Sequence, residues 1–220
     1  MLIVHHLNNS RSQRILWLLE ELGLPYEIKR YERNKKTMLA PPELKAVHPL
    51  GKSPVITDGD LVIAESGAIV EYLVNKYGQG KLKPTEEKNA LLYTYWLHYA
   101  EGSLMPPLLL SLIFTKIETT SPFIIKPIAM AISGQVKKLF INPNIKLHFD
   151  FMESELSKRQ WFAGNEFSAA DIQLSFPIEA AETRGLLIER PKLKAYLKAI
   201  HARPAYQKAL ERGGKYEILN

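Results

Sequence analysis

The sequence predicts an α/β domain followed by an all-helical domain, and three observations support that fold class. Strand-like and helix-like segments alternate as far as Tyr77 in the order βαβαββα, which is typical of a small mixed sheet with helices on its faces. A linker rich in glycine, proline and lysine (GQGKLKPT, residues 78–85) follows. No convincing strand occurs after the linker, so we divide the chain into domains 1–81 and 85–220.

Residue patterning places each element of the first domain. Apolar residues recur at helical spacing from Arg14 to Leu22, and Gly23 ends that helix. Two short strand-like runs flank the turn at residues 58–60 and predict a hairpin. In chain order, the predicted elements are strand 2–7, helix 14–22, strand 26–31, helix 41–47, strands 54–57 and 61–64, and helix 66–77.

The second domain shows only helical patterning. One helix start is explicit, because Ser168 can cap the helix and Asp171 can bond back to it from the third helical position. This pattern predicts folding chemistry rather than an active site. Pro106 and Pro107 predict a kink in the first long helix. The predicted helices are 85–116, 122–140, 145–159, 169–184, 191–202 and 204–212.

Composition excludes several classes of function. Cysteine is absent, so disulfides, thiolate metal sites and cysteine nucleophiles are excluded, and any thiol must come from a substrate. The net charge is +6, but the 29 lysines and arginines are spread along the chain, which argues against nucleic acid as a partner. Prolines interrupt the longest apolar stretch, residues 104–114, so we expect no membrane segment and a cytoplasmic protein. The adjacent His5 and His6 point to opposite faces of a strand, so we expect no metal site.

The residues around position 53 predict a docking site for a small peptide. Ser53 and Pro54 join a turn-rich segment to a strand, and a tight bend there leaves the backbone of Ser53 open to a ligand strand. Glu65 and Ser66 lie at the head of an apolar helix, whose N-terminal N–H groups attract an anion. The Glu65 carboxylate attracts an ammonium group. Together these features suit a small zwitterion with a peptide backbone.

These motifs resemble those of the cytosolic glutathione transferases, and most closely the fungal and bacterial branch of that family. The resemblance covers nearly the whole chain. The elements that carry it are HPLGKSPVI (48–56), AESGAI (64–69), Gly164 with SAAD (168–171), NSRSQR (9–14), RILWLL (14–19) and YAEGSL (99–104) with Pro106 and Pro107. The resemblance implies a thioredoxin-like first domain, glutathione as co-substrate with no other cofactor, a small apolar electrophile as second substrate, and a homodimer.

The resemblance also implies which residues hold glutathione. The backbone of Ser53, which precedes Pro54, pairs with the cysteinyl part. Glu65 and Ser66 hold the γ-glutamyl end, and Lys52 approaches the glycyl carboxylate. Taken alone, Ser66 could equally be a helix N-cap and Lys52 a solvated loop charge. Glu65 is harder to explain without a ligand, because a carboxylate at a strand end needs a partner.

The resemblance further indicates which residue activates the glutathione thiol. Tyrosine-type members carry a tyrosine at the end of the first strand, where this chain has His-His-Leu at residues 5–7. Serine-type members carry a serine just before the first helix, which falls on Ser10, with Arg11 beside it as a second donor. Asn9 and Ser12 remain competitors for this role, and Ser10 could serve only as an N-cap.

The second substrate is expected between the domains, against the first long helix of the helical domain. Tyr99, Ser103, Leu110 and Phe114 are predicted to line its pocket, with Tyr95, Met105 and the more distant Trp161 as further candidates, although each could belong to ordinary core packing. The function implied is conjugation of the glutathione thiolate to apolar electrophiles. Two alternatives remain: glutathione-dependent reduction of organic hydroperoxides, and a non-catalytic protein that binds a ligand or a protein partner.

Overall fold

The computed structural model describes residues 1–214, 216 and 217, and its N-terminal part is built on a four-stranded mixed sheet. Its elements are β1 (Leu2–Leu7), α1 (Ser12–Leu22), β2 (Tyr26–Tyr31), α2 (Pro42–Val47), β3 (Val55–Asp58), β4 (Leu61–Ala64) and α3 (Ser66–Tyr77). The strand order is β2-β1-β3-β4. β1 pairs in parallel with β2 and antiparallel with β3, which pairs antiparallel with β4. This thioredoxin-like arrangement confirms the predicted βαβαββα order.

Helix α1 positions much of the site, and it begins at Ser12 rather than at Arg14 as predicted. Its first turn is polar, so the apolar spacing that predicted the helix did not extend to it. Ser12, Gln13 and Arg14 are nevertheless buried, because α1 packs against both the first domain and helices of the second. Gly23 closes the helix with a φ of 68°, a left-handed conformation that glycine adopts without steric cost.

The second part of the chain is all-helical, as predicted. Its helices are α4 (Glu87–Tyr99), α5 (Met105–Thr120), α6 (Lys126–Val136), α7 (Asn142–Lys158), α8 (Ala169–Glu182), α9 (Pro191–His201) and α10 (Pro204–Gly213). Two π-helical turns, Ala100–Leu104 and Lys137–Ile141, connect α4 to α5 and α6 to α7. Among the described residues, no helix has both the length and the apolar character needed to cross a membrane.

The break predicted between helices 122–140 and 145–159 is wrong, because the chain is helical without interruption from 126 to 158. Pro143 lacks an N–H, and in an α-helix its ring clashes with the carbonyl four residues earlier. A π-helical turn directly precedes this proline, and the wider turn relieves that conflict. The same arrangement precedes the proline pair at 106–107. Local widening therefore lets both helices continue past their prolines.

The capping box predicted at the start of α8 is present. Asp171 accepts hydrogen bonds from the backbone N–H of Ser168 at 2.9 Å and of Phe162 at 3.0 Å. α8 is buried along nearly its whole length and contacts α1, α3 and α4. One buried apolar core runs through both parts of the chain, so the division into 1–81 and 85–220 stays a prediction.

Candidate active site

The turn between β1 and α1 brings the predicted thiol-activating residue next to the predicted glutathione-binding bend. Ser10 lies in that turn and is only 3% exposed. Its hydroxyl donates to Oγ of Ser53 at 3.2 Å. The peptide bond between Ser53 and Pro54 is cis, in agreement with the tight bend expected there. Ser10, Ser53 and Pro54 therefore meet at one end of the sheet.

The hydroxyl of Ser10 belongs to a network of hydrogen bonds with Ser12 and Ser53. Oγ of Ser12 lies 2.7 Å from Oγ of Ser10 and 2.8 Å from Nδ1 of His6. The Ser53 hydroxyl donates to the carbonyl of His5 at 3.2 Å. The backbone N–H of Ser12 donates to Oγ of Ser10, also at 3.2 Å.

His6 is the titratable group in contact with this network. Burial and the charge of Arg30 lower the pKa of His6 to about 4, so its ring is neutral at pH 7. The ring also bonds to the backbone of Gly213 in a way that favours its protonated form, so the ring donates that bond. The Ser12 hydroxyl also donates to the backbone carbonyl of Leu7 at 3.4 Å. Ser12 and Ser53 therefore both have acceptors other than Ser10, while the Ser10 hydroxyl donates to Ser53.

Glu65 and Lys52, the two charged residues predicted to hold glutathione, are both exposed. Neither side chain makes a hydrogen bond or ion pair with another residue in the described part of the chain. Glu65 directly precedes α3 and has a φ of 70°. Such a conformation costs a residue with a Cβ about 1–3 kcal/mol and is often kept at functional sites. The Glu65 carboxylate thus stands beside the unpaired N–H groups of a helix start.

Ser66, the first residue of α3, is held by residues from elsewhere in the fold. Gln173 of α8 donates from Nε2 to Oγ of Ser66 at 3.1 Å, and Arg14 of α1 donates from Nη2 at 3.4 Å. Arg14 is 1% exposed and also donates to the backbone carbonyl of Gln173. Two donors therefore fix the Ser66 oxygen, and no described residue accepts its hydrogen.

Glu101, in the π-helical turn before α5, contacts Arg14 of α1 and Arg11, the residue that precedes this helix. It lies 2.5 Å from Nη2 of Arg14 and 3.0 Å from Nε of Arg11. Burial opposes ionisation of this carboxyl, but the charges of Arg14 and Arg11 hold the pKa of Glu101 below its ordinary value. Arg11, predicted as a second donor to the thiolate, is therefore engaged with the second domain.

Sequence reasoning did not assign roles to Glu101 or Gln173. Glu101 lies inside the YAEGSL motif, where an acidic residue in a largely apolar helix is a signal for a buried partner. Gln173 follows the capping box by two positions, and nothing in the local pattern indicates that it reaches Ser66. Both contacts join residues far apart in sequence.

Four residues predicted to line the electrophile pocket lie on α4, α5 and the π-helical turn between them. Tyr99 is packed against α7, with its hydroxyl 2.5 Å from Nδ1 of His148, and its ring contacts belong to the helical domain. Leu110 and Phe114 are partly buried against the main core. Ser103 is partly buried in the π-helical turn. In the described part of the chain, no hydrogen bond or ring contact joins these four to Ser10 or Arg11.

A different apolar cluster lies next to the arginines of the site. Phe176 of α8 packs with Ala180, Met105 and Tyr216. The guanidinium of Arg11 lies over the Phe176 ring, 5.0 Å from its centroid. This apolar cluster therefore contacts the side chain of the residue that follows Ser10 in the chain.

Histidines and acidic residues do not assemble into a metal site in the described residues, where no group of three or more potential ligands could hold a metal ion. His5 bonds through Nδ1 to the hydroxyl of Tyr31 at 2.9 Å. Burial and the charge of Lys29 lower the pKa of His5. The two adjacent histidines therefore serve separate hydrogen bonds.

The fold and site define a class of protein in which a thioredoxin-like domain packs against an all-helical domain. Two family models match the chain: the N-terminal domain of glutathione S-transferase over residues 1–75, and the C-terminal domain over residues 123–204. The chain belongs to the glutathione S-transferase family of enzymes.

Relatives and solved structures agree with this assignment. The chain is 39% identical to glutathione S-transferase 3 of Schizosaccharomyces pombe, over 96% of this chain and 88% of the relative. It is 35% identical to glutathione S-transferase 1 of Saccharomyces cerevisiae, over 95% and 94%. A glutathione S-transferase structure from Actinobacillus pleuropneumoniae matches with a TM-score of 0.81 and 35% identity, over 97% and 93%. A family member from Pseudomonas fluorescens with two glutathione bound matches with a TM-score of 0.73 and 28% identity, over 96% and 92%.

Proposed function

We propose that this protein conjugates the thiol of glutathione to small apolar electrophiles, with Ser10 as the residue that stabilises the thiolate. The observation that carries the proposal is the buried Ser10 hydroxyl. Its neighbours Ser12 and Ser53 donate to the backbone carbonyls of Leu7 and His5. Ser10 is therefore the hydroxyl best placed to donate to a negatively charged sulfur.

Glutathione binding is proposed at the residues that the family motif indicates. Lys52 attracts the glycyl carboxylate, and the backbone of Ser53, set by Pro54, pairs with the cysteinyl part. Glu65 attracts the γ-glutamyl ammonium group, while the N–H groups at the start of α3 and the Ser66 hydroxyl attract its carboxylate. Both charged side chains are exposed without an internal partner, which supports a ligand role.

The energy that the thiolate requires is modest. An ordinary thiol has a pKa of about 8.5, and lowering it by about two units requires about 2.7 kcal/mol of preferential stabilisation. One or two hydrogen bonds to a charged acceptor supply about that much. In the reaction the thiol proton leaves to solvent, the sulfur forms a bond to an electrophilic carbon, and the leaving group departs with its electron pair.

The electrophile is proposed to lie against Met105 and Phe176, beside Arg11. These side chains pack together, and the Arg11 guanidinium lies over the Phe176 ring. Tyr99, Ser103, Leu110 and Phe114 remain the sequence prediction for this pocket. The contact between Arg11 and the Phe176 ring favours the surface formed by Met105 and Phe176.

Titration of bound glutathione by ultraviolet absorbance of its thiolate tests the proposal. In the native protein we expect a thiol pKa about two units below the free value of about 8.5. Ser10→Ala should raise this pKa by about one to two units, because one hydrogen bond to a charged group is lost. Ser53→Ala is the matched control and should change it little, since the proposed contact of Ser53 is through its backbone.

A thiolate that appears only near the free thiol pKa in the native protein would contradict the proposal. Turnover of a chloro-nitroaromatic compound and of cumene hydroperoxide, measured on the same preparations, separates conjugation from peroxide reduction. The proposal expects the larger turnover with the chloro-nitroaromatic compound.

Oligomeric state and location follow from family membership in this proposal. We expect a homodimer in the cytoplasm. Leu91 and Tyr95, one helical turn apart on α4, are 71% and 45% exposed, and such residues are favoured at subunit contacts. Light scattering of the purified protein should give twice the mass of one chain, and a monomer at micromolar concentration would contradict this expectation.

A further inference from the structure

Residues 216 and 217, which follow α10, contact both parts of the fold near the candidate site. The backbone N–H of Glu217 donates to Oδ1 of Asn9 at 2.7 Å, and Asn9 is the neighbour of Ser10. The preceding Tyr216 packs against Met105, Phe176 and Ala180. The chain therefore crosses from the surface of α8 to the turn that carries Ser10.

Tyr216 is held in place by a hydrogen bond as well as by packing. Its hydroxyl donates to Oε2 of Glu179 at 3.1 Å. Oε1 of Glu179 accepts from the hydroxyl of Tyr206 at 2.6 Å and lies 3.0 Å from Nε2 of His201. Burial, together with the charge of Glu179, raises the pKa of Tyr216 well above its ordinary value, so the phenol stays neutral. The ring is thus oriented by Glu179, which is itself fixed by residues of α9 and α10.

We propose that Tyr216 is a specificity-determining residue, whose ring limits the size of the electrophile that can lie against Met105 and Phe176. This inference rests on the proposed function. Tyr216 is partly exposed, and the residues it packs on belong to the cluster over which Arg11 lies. A group attached to sulfur at Ser10 and lying on that cluster meets the Tyr216 ring.

The geometry separates two roles of this side chain. The hydroxyl donates its hydrogen to Glu179. It therefore orients the ring and does not bind the substrate. The aromatic ring limits the space available to the electrophile beside Met105 and Phe176. Removing the ring should therefore admit larger groups, whereas removing only the hydroxyl should leave the size limit in place.

Binding of two glutathione conjugates tests the proposal without depending on turnover. Calorimetry gives Kd for S-methylglutathione, with a small group on sulfur, and for S-hexylglutathione, with a long apolar group. In Tyr216→Ala, the ratio of the two dissociation constants should shift by about tenfold in favour of the hexyl conjugate, the discrimination that pocket size supplies. Tyr216→Phe keeps the ring and should change the ratio by less than about twofold.

The outcomes distinguish the failure of this inference from the failure of the proposed function. If neither conjugate binds the native protein, the glutathione site itself is wrong. If both bind and Tyr216→Ala leaves their ratio unchanged, or shifts it towards the methyl conjugate, the role of Tyr216 is wrong. Tyr216→Leu, which keeps an apolar contact with Phe176, provides a second variant if the alanine variant folds poorly, and it should shift the ratio in the same direction by a smaller factor.

Discussion

Ser10 and Ser66, two buried serines of the candidate site, are oriented by different parts of the molecule. Ser10 contacts Ser12 and Ser53, and Ser12 in turn contacts His6, all in the thioredoxin-like domain. Ser66 also belongs to that domain, but one of its two donors, Gln173, comes from the helical domain. We call the surroundings of Ser10 the thiol end of the site and those of Ser66 the glutamyl end.

This difference indicates that affinity and reactivity depend on different contacts. The thiol end should keep its geometry as long as the first domain is folded. The glutamyl end requires α8 to lie correctly against α1 and α3. Changes at the domain interface should therefore weaken glutathione binding before they alter the pKa of the bound thiol.

Arg14→Met should produce the largest effect. Arg14 contacts Ser66, Glu101 and the Gln173 carbonyl, and methionine leaves all three without that donor. Breaking a buried charge pair commonly costs about 3–5 kcal/mol, and we expect about 4 kcal/mol lower free energy of unfolding. The KM for glutathione should rise by about tenfold or more. Chemical denaturation and steady-state kinetics measure these changes.

Arg11→Met is the matched control, because Arg11 pairs with the same carboxylate but is 34% exposed. Its loss should cost less than about 1 kcal/mol, as expected for an exposed ion pair. Equal destabilisation by the two variants would show that burial of Arg14 is not what makes its contacts important.

Much of the fold could be predicted from sequence because many of its signals are local. The hairpin around residues 58–60 and the capping box of Ser168 and Asp171 join residues only a few positions apart, so spacing alone reveals them. The continuous helix through Pro143 was missed, because a π-helical turn leaves no such signature.

Long-range contacts in the candidate site were even harder to predict from the sequence. Sequence motifs identified Ser10, Ser53, Glu65 and Ser66 as site residues. Their binding roles remain predictions. The contact of Arg14 with Glu101 spans 87 positions, and that of Gln173 with Ser66 spans 107. No short pattern encodes such contacts, because they depend on how α8 and the turn before α5 pack on the first domain.

Asp171→Asn should change how stability depends on pH. Burial raises the pKa of Asp171 from 3.8 to about 6, so the folded state holds this proton more tightly than the unfolded chain. The resulting stabilisation is fully present below about pH 4 and is lost as pH rises through about 6. Between these limits, the stability of the native protein relative to the variant should fall by up to about 3 kcal/mol.

Urea denaturation of both proteins at several pH values measures this difference. A difference that grows as pH rises would mean that hydrogen bonds from Ser168 and Phe162 outweigh burial and favour the carboxylate. Because Asp171 caps the helix that carries Gln173, the variant should also raise the KM for glutathione slightly and leave the thiol pKa unchanged.

Gln173→Leu should have the smallest effect on stability and gives the cleanest separation of the two ends. The Oε1 atom of Gln173 is buried without a hydrogen-bond partner among the described residues, so leucine removes one unpaired atom together with one hydrogen bond. We expect a stability change below about 1 kcal/mol. The Ser66 hydroxyl loses a donor, and the KM for glutathione should rise about three- to tenfold. The thiol pKa of bound glutathione should stay within about 0.2 units of the native value, since no bond to Ser10 changes.

Ser10→Ala should give the reverse pattern, with a raised thiol pKa and a small change in KM. A raised thiol pKa in Gln173→Leu would mean that the two ends are coupled and that the helical domain also orients Ser10.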